Sequence, residues 1–215
     1  MSTSYRHLPH AFVAQSGKVI DLANPTPGMG DIEDIAHALS NICRFGGHVP
    51  GHYSVAEHSL LVCGIAGLLA QELRIQPGAT RTGLLANALL HDASEAYLGD
   101  VISPLKSLLG GYKELEHRVQ CCILKGLIGD ASYFQAADAE GTLVKRADVL
   151  AFIYEWQAIR GLPVQDLMGT GIDEEQIAWV QTNLMPLDIP RLGCSADVKQ
   201  EFLKYYRHFK SQMGA

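Results

Sequence analysis

The feature that most constrains this chain is an apolar helical run that leads into a cluster of ionisable residues. Residues 84–90 (LLANALL) continue directly into His91 and Asp92, and two more carboxylates follow at Glu95 and Asp100. If the helix continues, Glu95 is a surface neighbour of both Asp92 (i, i+3) and His91 (i, i+4). Ionisable groups at the end of a buried apolar segment are costly unless they are paired or bind a metal. The stretch is therefore a candidate divalent-cation site, the alternative being a solvated or ordinary helix-end ion pair, and the neighbouring residues decide between them.

The composition is that of an ordinary globular protein. The 215 residues are 47% hydrophobic and 19% charged, with a formal net charge of −6. This negative charge argues against a general nucleic-acid or acidic-membrane surface, so we expect neither a nucleic-acid polymer nor a membrane as partner. There is no basic-plus-apolar leader and no apolar run of about 18 residues. The cysteines are odd in number and lack a C-x-x-C pair, which favours reduced core residues in a cytoplasmic protein: Cys43, Cys63, Cys121, Cys122 and Cys194.

Helical patterns dominate the chain beyond residue 30 and predict an all-α fold with a small N-terminal β-hairpin around Ser16 and Gly17. We expect one domain over residues 1–215, with the hairpin and a loop in 1–30, a helical core in 31–160 and C-terminal helices in 161–215. Capping residues and glycines predict eight helices. Their approximate bounds are Asp31 to Phe45, Ser54 to Leu73, Thr80 or Thr82 to Gly99, Ser103 to Gly110, Tyr112 to Ile128, Asp130 to Arg160, Asp173 to Pro186 and Ser195 to Met213.

Two further residues on apolar helices extend the predicted metal site. His58 lies early in the helix that begins at Ser54, and Asp148 lies on or beside the buried stripe of a later helix. With His91 and Asp92 they form a set of two imidazoles and two carboxylates, which suits one divalent ion such as Mn, Co, Fe, Ni, Zn or Mg. Four protein ligands leave coordination positions for water and a substrate oxygen, which is typical of a catalytic metal.

The order His58, His91-Asp92, Asp148 resembles the H…HD…D signature of the HD-domain metal-dependent phosphohydrolases, an all-α superfamily of helical bundles. Three longer strings, SVAEHS (54–59), HDASE (91–95) with Gly99 and Asp100, and KRAD (145–148), resemble the YfbR-like 5′-deoxynucleotidases. The resemblance covers roughly residues 31–155. It implies an HD-domain bundle whose metal ligands are His58, His91, Asp92 and Asp148.

The resemblance also implies roles for residues around the metal. Glu95 and Asp100 are the expected catalytic residues near the attacking water, with the roles of base and acid left open between them. Arg44 is expected to bind phosphate oxygens, the alternative being a cation at a helix C-terminus. Phe45 is also expected to contact the substrate. It stands where the family carries Trp and lacks the indole N–H donor, so no preference for deoxyribose over ribose is predicted.

Three more basic residues lie outside the signature. Lys106 is a candidate for binding phosphate, the alternative being a solvated helix face. His48 and His52 in the loop after Arg44 are expected to be solvated hydrogen-bonding residues rather than ligands.

The function that these residues predict is removal of phosphate from a (deoxy)nucleoside 5′-monophosphate by metal-activated water. One alternative is a deoxynucleoside triphosphate triphosphohydrolase, which keeps the metal and releases triphosphate. A second is a non-catalytic nucleotide or metal sensor on the same scaffold. The expected partners are a small nucleotide substrate and further copies of the chain in a dimer or larger homo-oligomer.

Overall fold

The computed structural model describes residues 9–129, 140–187 and 189–213, and helices make up most of them. The all-α class with one small hairpin is confirmed. Strands β1 (Ala11–Val13) and β2 (Val19–Asp21) pair antiparallel, with Phe12 opposite Ile20. No helix in these ranges is both long enough and apolar enough to cross a bilayer.

Helix α1 (Ile32–Asn41) is capped by Asp31, as predicted, and ends sooner than predicted. Its Asp34 accepts hydrogen bonds from the Ser16 amide at 2.9 Å and the Ser16 hydroxyl at 2.6 Å, which attach the hairpin turn to the helix. The prediction that α1 runs to Phe45 is wrong. Residues 42–43 are extended, Cys43 forms a β-bridge with Ser54, and a 3₁₀ turn (Arg44–Gly47) follows.

Helices α2 (Val55–Glu72) and α3 (Ala79–Leu90) form the centre of the bundle. The capping box of Ser54 and Glu57 opens α2, as predicted. The prediction that α3 continues through His91 and Asp92 to Gly99 is wrong. The helix ends at Leu90, residues 91–94 form turns, and a separate short helix α4 (Glu95–Leu98) ends at Gly99, where a φ of 79° favours glycine.

The remaining helices surround α2 and α3. Their bounds are α5 (Ser103–Lys106), α6 (Tyr112–Ile128), α7 (Glu140–Tyr154), α8 (Glu174–Asn183) and α9 (Ser195–Met213). A π-helical segment (Glu155–Ile159) continues α7, so the predicted end near Arg160 is confirmed. The predicted start of that helix at Asp130 lies outside the described residues.

The core lies where α2 packs between α3 and α7, with α9 closing the bundle against α1 and α3. Side chains from each of these helices are fully buried there: Ile35, Leu39, Ile65, Leu69, Leu89, Leu90, Leu150, Ile153 and Phe202. The cysteines all carry free thiols; Cys63 is buried, whereas Cys121 and Cys194 are exposed, so the expectation that they are core residues holds only in part. Because α3 and α7 both contact α2, side chains from these three parts of the chain can converge on one point.

Candidate metal centre

Four ionisable side chains from distant parts of the sequence meet beside the first turns of α2. The Nε2 atom of His58 lies 3.2 Å from His91 Nε2 and 3.5 Å from Asp92 Oδ2. The Asp148 Oδ1 atom, from α7, lies 3.3 Å from the same nitrogen. His91 Nε2 in turn lies 3.2 Å from Asp92 Oδ2. The sequence-predicted ligands are therefore close together, although two of them lie in a turn rather than on a helix.

The break between α3 and α4 presents His91 and Asp92 to this point. Hydrogen bonds there close shorter loops than in an α-helix, from the Ala93 amide to the Leu90 carbonyl and from the Glu95 amide to the Asp92 carbonyl, each at 3.0 Å. The Nδ1 atom of His91 lies 2.9 Å from the Ala88 carbonyl oxygen, which leaves Nε2 facing His58.

The side chain of Gln120 on α6 completes the hydrogen bonds of this break. Its Oε1 accepts from the Ser94 amide at 2.8 Å, and its Nε2 donates to the Leu90 carbonyl at 2.7 Å. One amide group thus pairs a donor and an acceptor that the α-helical ladder would otherwise have used. Sequence reasoning gave Gln120 no role, because nothing local marks a contact between residues on separate helices.

Glu155 is a second residue that sequence reasoning missed. Its carboxylate is fully buried and faces three groups: His58 Nδ1 at 2.6 Å, the Tyr53 hydroxyl at 2.9 Å and an Arg44 guanidinium nitrogen at 3.1 Å. The available signal was its spacing of seven residues from Asp148, which places both carboxylates on one helix face.

Arg44 lies inside the site, facing carboxylates. Besides its bond to Glu155, one Nη1 atom lies 3.8 Å from Asp92 Oδ2. Burial alone lowers the pKa of Arg44, but Glu155, Asp92 and Asp100 together raise it above its usual value. The alternative prediction, that Arg44 is a cation at the C-terminus of a helix, is wrong because Arg44 begins a 3₁₀ turn.

The charges of the cluster stabilise one another. Burial and the Arg44 cation disfavour protonation of His58, but Glu155 and Asp148 outweigh them and raise the pKa of His58 to about 9. Burial disfavours ionised carboxylates, yet His91 and His58 hold the pKa of Asp92 well below its usual range. The pKa of Asp148 is lowered in the same way by a hydrogen bond with His58 and by the charges of His91 and Lys145. These carboxylates are anionic at neutral pH and available as ligands.

Glu95 and Asp100 lie close enough to the cluster for the charge of Asp92 to act on both. Burial first, and then the charges of Asp92 and Asp100, raise the pKa of Glu95 to about 9. One of its oxygens, Oε2, is buried and has no hydrogen-bond partner among the described residues. Asp100 accepts a hydrogen bond from the Phe45 amide at 3.0 Å, and burial raises its pKa.

The other predicted substrate residues have partners of their own. Lys106 Nζ lies 2.6 Å from Glu116 Oε1 and 3.4 Å from Glu95 Oε1. The ring of Phe45 lies between two guanidinium groups, 5.2 Å from that of Arg44 and 4.8 Å from that of Arg160. His52 is exposed and lies 3.4 Å from the Asn41 carbonyl; the exposed His48 is not among the groups that meet at His58.

The donor atoms fit a divalent ion. Ligand atoms bound about 2.1 Å from one ion lie roughly 3.0–3.5 Å apart. The nitrogen and oxygen atoms of His58, His91 and Asp92 all lie within 4.8 Å of one another. Mixed imidazole and carboxylate donors suit a borderline divalent metal better than calcium. The described residues thus include a His/His/Asp group that could hold a metal ion.

Comparison with known proteins identifies the family. Residues 44–153, about half of the chain, match the HD domain. The chain belongs to the HD-domain family. The matched segment of this HD-domain protein contains His58, His91, Asp92 and Asp148, and it ends just before Glu155.

Two curated proteins and one solved structure are similar to this chain. An uncharacterized protein of Rhodobacter capsulatus is 47% identical over 113 residues, which cover 50% of this chain and 53% of that protein. This HD-domain protein therefore matches about half the length of that relative. The uncharacterized protein YfdR of Escherichia coli is 33% identical over 147 residues, covering 63% of this chain and 71% of YfdR. A conserved hypothetical protein from Pyrococcus furiosus has a solved structure with 27% identity and a TM-score of 0.49, covering 73% of this chain and 96% of that one. HD domains bind divalent metals and are generally phosphohydrolases, and the described residues of this chain include a His/His/Asp group that could hold such an ion.

Proposed function

We propose that this HD-domain protein removes phosphate from a (deoxy)nucleoside 5′-monophosphate, using His58, His91, Asp92 and Asp148 as metal ligands. The observation that carries the proposal is the convergence of these four side chains on the Nε2 atom of His58, with two further carboxylates beside them. A divalent ion held there would supply positive charge to a phosphoryl oxygen and lower the pKa of a bound water molecule.

Glu95 is the proposed proton carrier. Its Oε2 atom is buried without a partner, while Oε1 faces Lys106 at 3.4 Å. A buried carboxyl oxygen without a partner is costly unless another molecule occupies its hydrogen-bonding position. We assign that position to the attacking water. The pKa of about 9 keeps Glu95 protonated while no cation is bound, so Glu95 would take up the proton of the water only after a bound divalent ion has lowered this pKa. Asp100, fixed by the Phe45 amide, is then the group available to the leaving oxygen.

Arg44 and Lys106 are the proposed phosphate-binding residues, and each keeps donors that its carboxylate partners do not use. The Nε–H group of Arg44 has no hydrogen-bond partner among the described residues. The ammonium group of Lys106 has three N–H donors and two carboxylate neighbours. Phosphate oxygens could accept from these remaining groups without displacing Glu155 or Glu116.

The nucleotide as substrate is supported by the resemblance of the strings SVAEHS, HDASE and KRAD to the YfbR-like 5′-deoxynucleotidases. Phe45, in the place of a Trp, offers a ring face beside Arg44 and no polar donor from its side chain. We therefore expect modest discrimination between ribose and deoxyribose. Assembly into a homo-oligomer stays a prediction.

The decisive experiment is a panel of nucleoside mono- and triphosphates assayed with Mn²⁺, Co²⁺, Mg²⁺ and Zn²⁺, with the inorganic product identified. Release of orthophosphate from monophosphates supports the proposal. Release of triphosphate from deoxynucleoside triphosphates would replace it with the triphosphohydrolase. Binding of nucleotide and metal with no product under any condition would make the protein a sensor.

The matched variants for this panel are His91→Ala and His208→Ala. The first removes a proposed ligand and is expected to abolish metal binding and turnover together. His208 is exposed on α9 and is not part of the cluster, so its variant should keep both. Full activity of His91→Ala would contradict the proposed site.

A further inference from the structure

Glu155 is a buried charge whose position no catalytic role explains. It is 0% exposed and begins the π-helical segment that follows α7. Placing a carboxylate in the interior is costly unless its oxygens are fully hydrogen-bonded, and here the donors come from three separate parts of the chain. They are Arg44 in the 3₁₀ turn, Tyr53 just before α2 and His58 within α2.

The two oxygens of Glu155 have different partners. Oε1 accepts from the Tyr53 hydroxyl at 2.9 Å and lies 2.6 Å from His58 Nδ1. Oε2 accepts from Arg44 at 3.1 Å. A carboxylate beside Nδ1 favours the proton on that nitrogen, so Nε2, which faces His91, Asp92 and Asp148, is the nitrogen that would release its proton to a metal ion.

We propose that Glu155 is a positioning residue that sets the tautomer of His58 for metal binding and holds the Arg44 guanidinium for phosphate binding. Partners of this kind orient metal-bound histidines and raise their basicity as ligands. One buried carboxylate thus links the metal ligand on α2 to the cation on the 3₁₀ turn. The inference rests on the proposed function, since it needs a metal at His58.

A purely structural role is the competing explanation, because Glu155 also neutralises a buried guanidinium. The two explanations differ in what Glu155→Gln does. Whichever way the amide is turned, it offers one acceptor oxygen, so either His58 or Arg44 loses its acceptor. A positioning role requires a change at the metal, whereas a structural role requires only a loss of stability.

The test uses Co²⁺, whose absorption spectrum reports on its ligands. For Glu155→Gln we expect Co²⁺ affinity to fall by about 10–100-fold, with an altered spectrum. Tyr53→Phe removes one hydrogen bond and keeps the carboxylate, so its Co²⁺ spectrum should match that of the wild type. Asp34→Asn removes a buried carboxylate that binds Ser16 in the hairpin, and should lower stability while leaving Co²⁺ binding unchanged.

A second measurement needs no variant. In the Zn²⁺-loaded wild-type protein, ¹⁵N–¹H correlation spectra of the imidazoles should show His58 protonated at Nδ1 and unprotonated at Nε2. A proton on Nε2 would overturn the inference. This readout applies even if Glu155→Gln does not fold.

The outcomes separate the inference from the function on which it rests. If the wild-type protein binds none of the divalent ions, the proposed function and the inference both fail. If the wild type binds Co²⁺ and Glu155→Gln binds it equally well with the same spectrum, only the inference fails. Weaker Co²⁺ binding in Glu155→Gln than in Tyr53→Phe, with an altered spectrum, supports it.

Discussion

Glu95 is the residue whose substitution separates metal binding from chemistry. The side chain is 3% exposed, and its Oε2 atom has no partner among the described residues. Glu95→Gln keeps the size of the side chain but cannot take up a proton. We expect turnover to fall by about 10²–10⁴-fold, the usual contribution of a general acid or base. Isothermal titration should show nearly unchanged metal affinity.

Glu116→Gln is the matched control for that variant. Glu116 binds the same lysine, Lys106, at 2.6 Å, but its carboxylate is not one of the groups that face Asp92. Its substitution should leave turnover close to that of the wild type. A Glu95→Gln protein with wild-type turnover would refute the role proposed for this carboxylate.

Site residues could be predicted from the sequence where a local pattern marks them, and not where their role depends on contacts with distant segments. His91 and Asp92 stand out because ionisable residues at the end of an apolar run need a partner. Glu155 and Gln120 act only through contacts with distant segments, 97 residues away for Glu155 and His58, and 26 for Gln120 and Ser94. No local pattern requires those contacts, so they became visible only once the helices were packed.

At the scale of elements, the break between α3 and α4 is held by one side chain. Gln120→Leu keeps a similar volume but removes the acceptor of the Ser94 amide, and it leaves the Leu90 carbonyl with the Ala93 amide as its remaining donor. We expect the free energy of unfolding to fall by about 1–3 kcal/mol, the cost of a buried polar group left unpaired. Urea unfolding measures this loss, and metal affinity should fall with it because His91 and Asp92 lie in the break.

Gln181→Leu is the comparison for Gln120→Leu. The exposed amide of Gln181 donates to Gln157 on the surface. Its loss should change the free energy of unfolding by less than about 0.5 kcal/mol, as for most surface substitutions. Equal stability of the two variants would mean that Gln120 does not support the break.

Helix α6 approaches the N-terminal loop closely at Gly126. A methyl group added there would collide with the carbonyl group of Pro27, in the 3₁₀ turn Pro27–Met29. Gly126→Ala should therefore destabilise the protein by about 1–3 kcal/mol through overpacking, despite the better helix propensity of alanine. Thermal unfolding provides the measurement.

Gly64 on α2, in contrast to Gly126, has room for a methyl group. It is exposed, and an added methyl group would meet no atom within 4 Å. Gly64→Ala should stabilise the protein by up to about 1 kcal/mol. If both alanine variants were more stable than the wild type, the predicted collision of residue 126 with the Pro27 carbonyl would be refuted.

Element boundaries were predictable where a side chain caps its own helix. Asp31, Ser54 and Asp173 each accept hydrogen bonds from the first turn that follows, and these starts were read from local sequence. The end of α3 at Leu90 was not predictable from local sequence, because residues 91–94 contain neither glycine nor proline. The helix stops there because Gln120, from another helix, takes over its hydrogen bonds.

At the scale of the whole molecule, the cluster joins α2, the break after α3, and α7. A ligand that binds only the folded protein stabilises it, by about 2.7 kcal/mol at a free concentration 100 times its Kd. Excess Mn²⁺ or Co²⁺ should therefore raise the Tm of the wild-type protein, and a chelator should reverse the rise. His91→Ala should show no such shift. An unchanged wild-type Tm at saturating metal would contradict the site.

The pairing of Arg44 with Glu155 and of Lys106 with Glu116 has a consequence for how turnover begins. Without a bound metal ion these cations are already paired with carboxylates, and Asp92, Asp100 and Asp148 remain partly exposed beside them. A doubly negative phosphate would be repelled by them. We therefore expect the cation to bind first and the nucleotide second, so that steady-state kinetics follow a compulsory order in which free metal, rather than a preformed metal–nucleotide complex, binds at the start of each cycle.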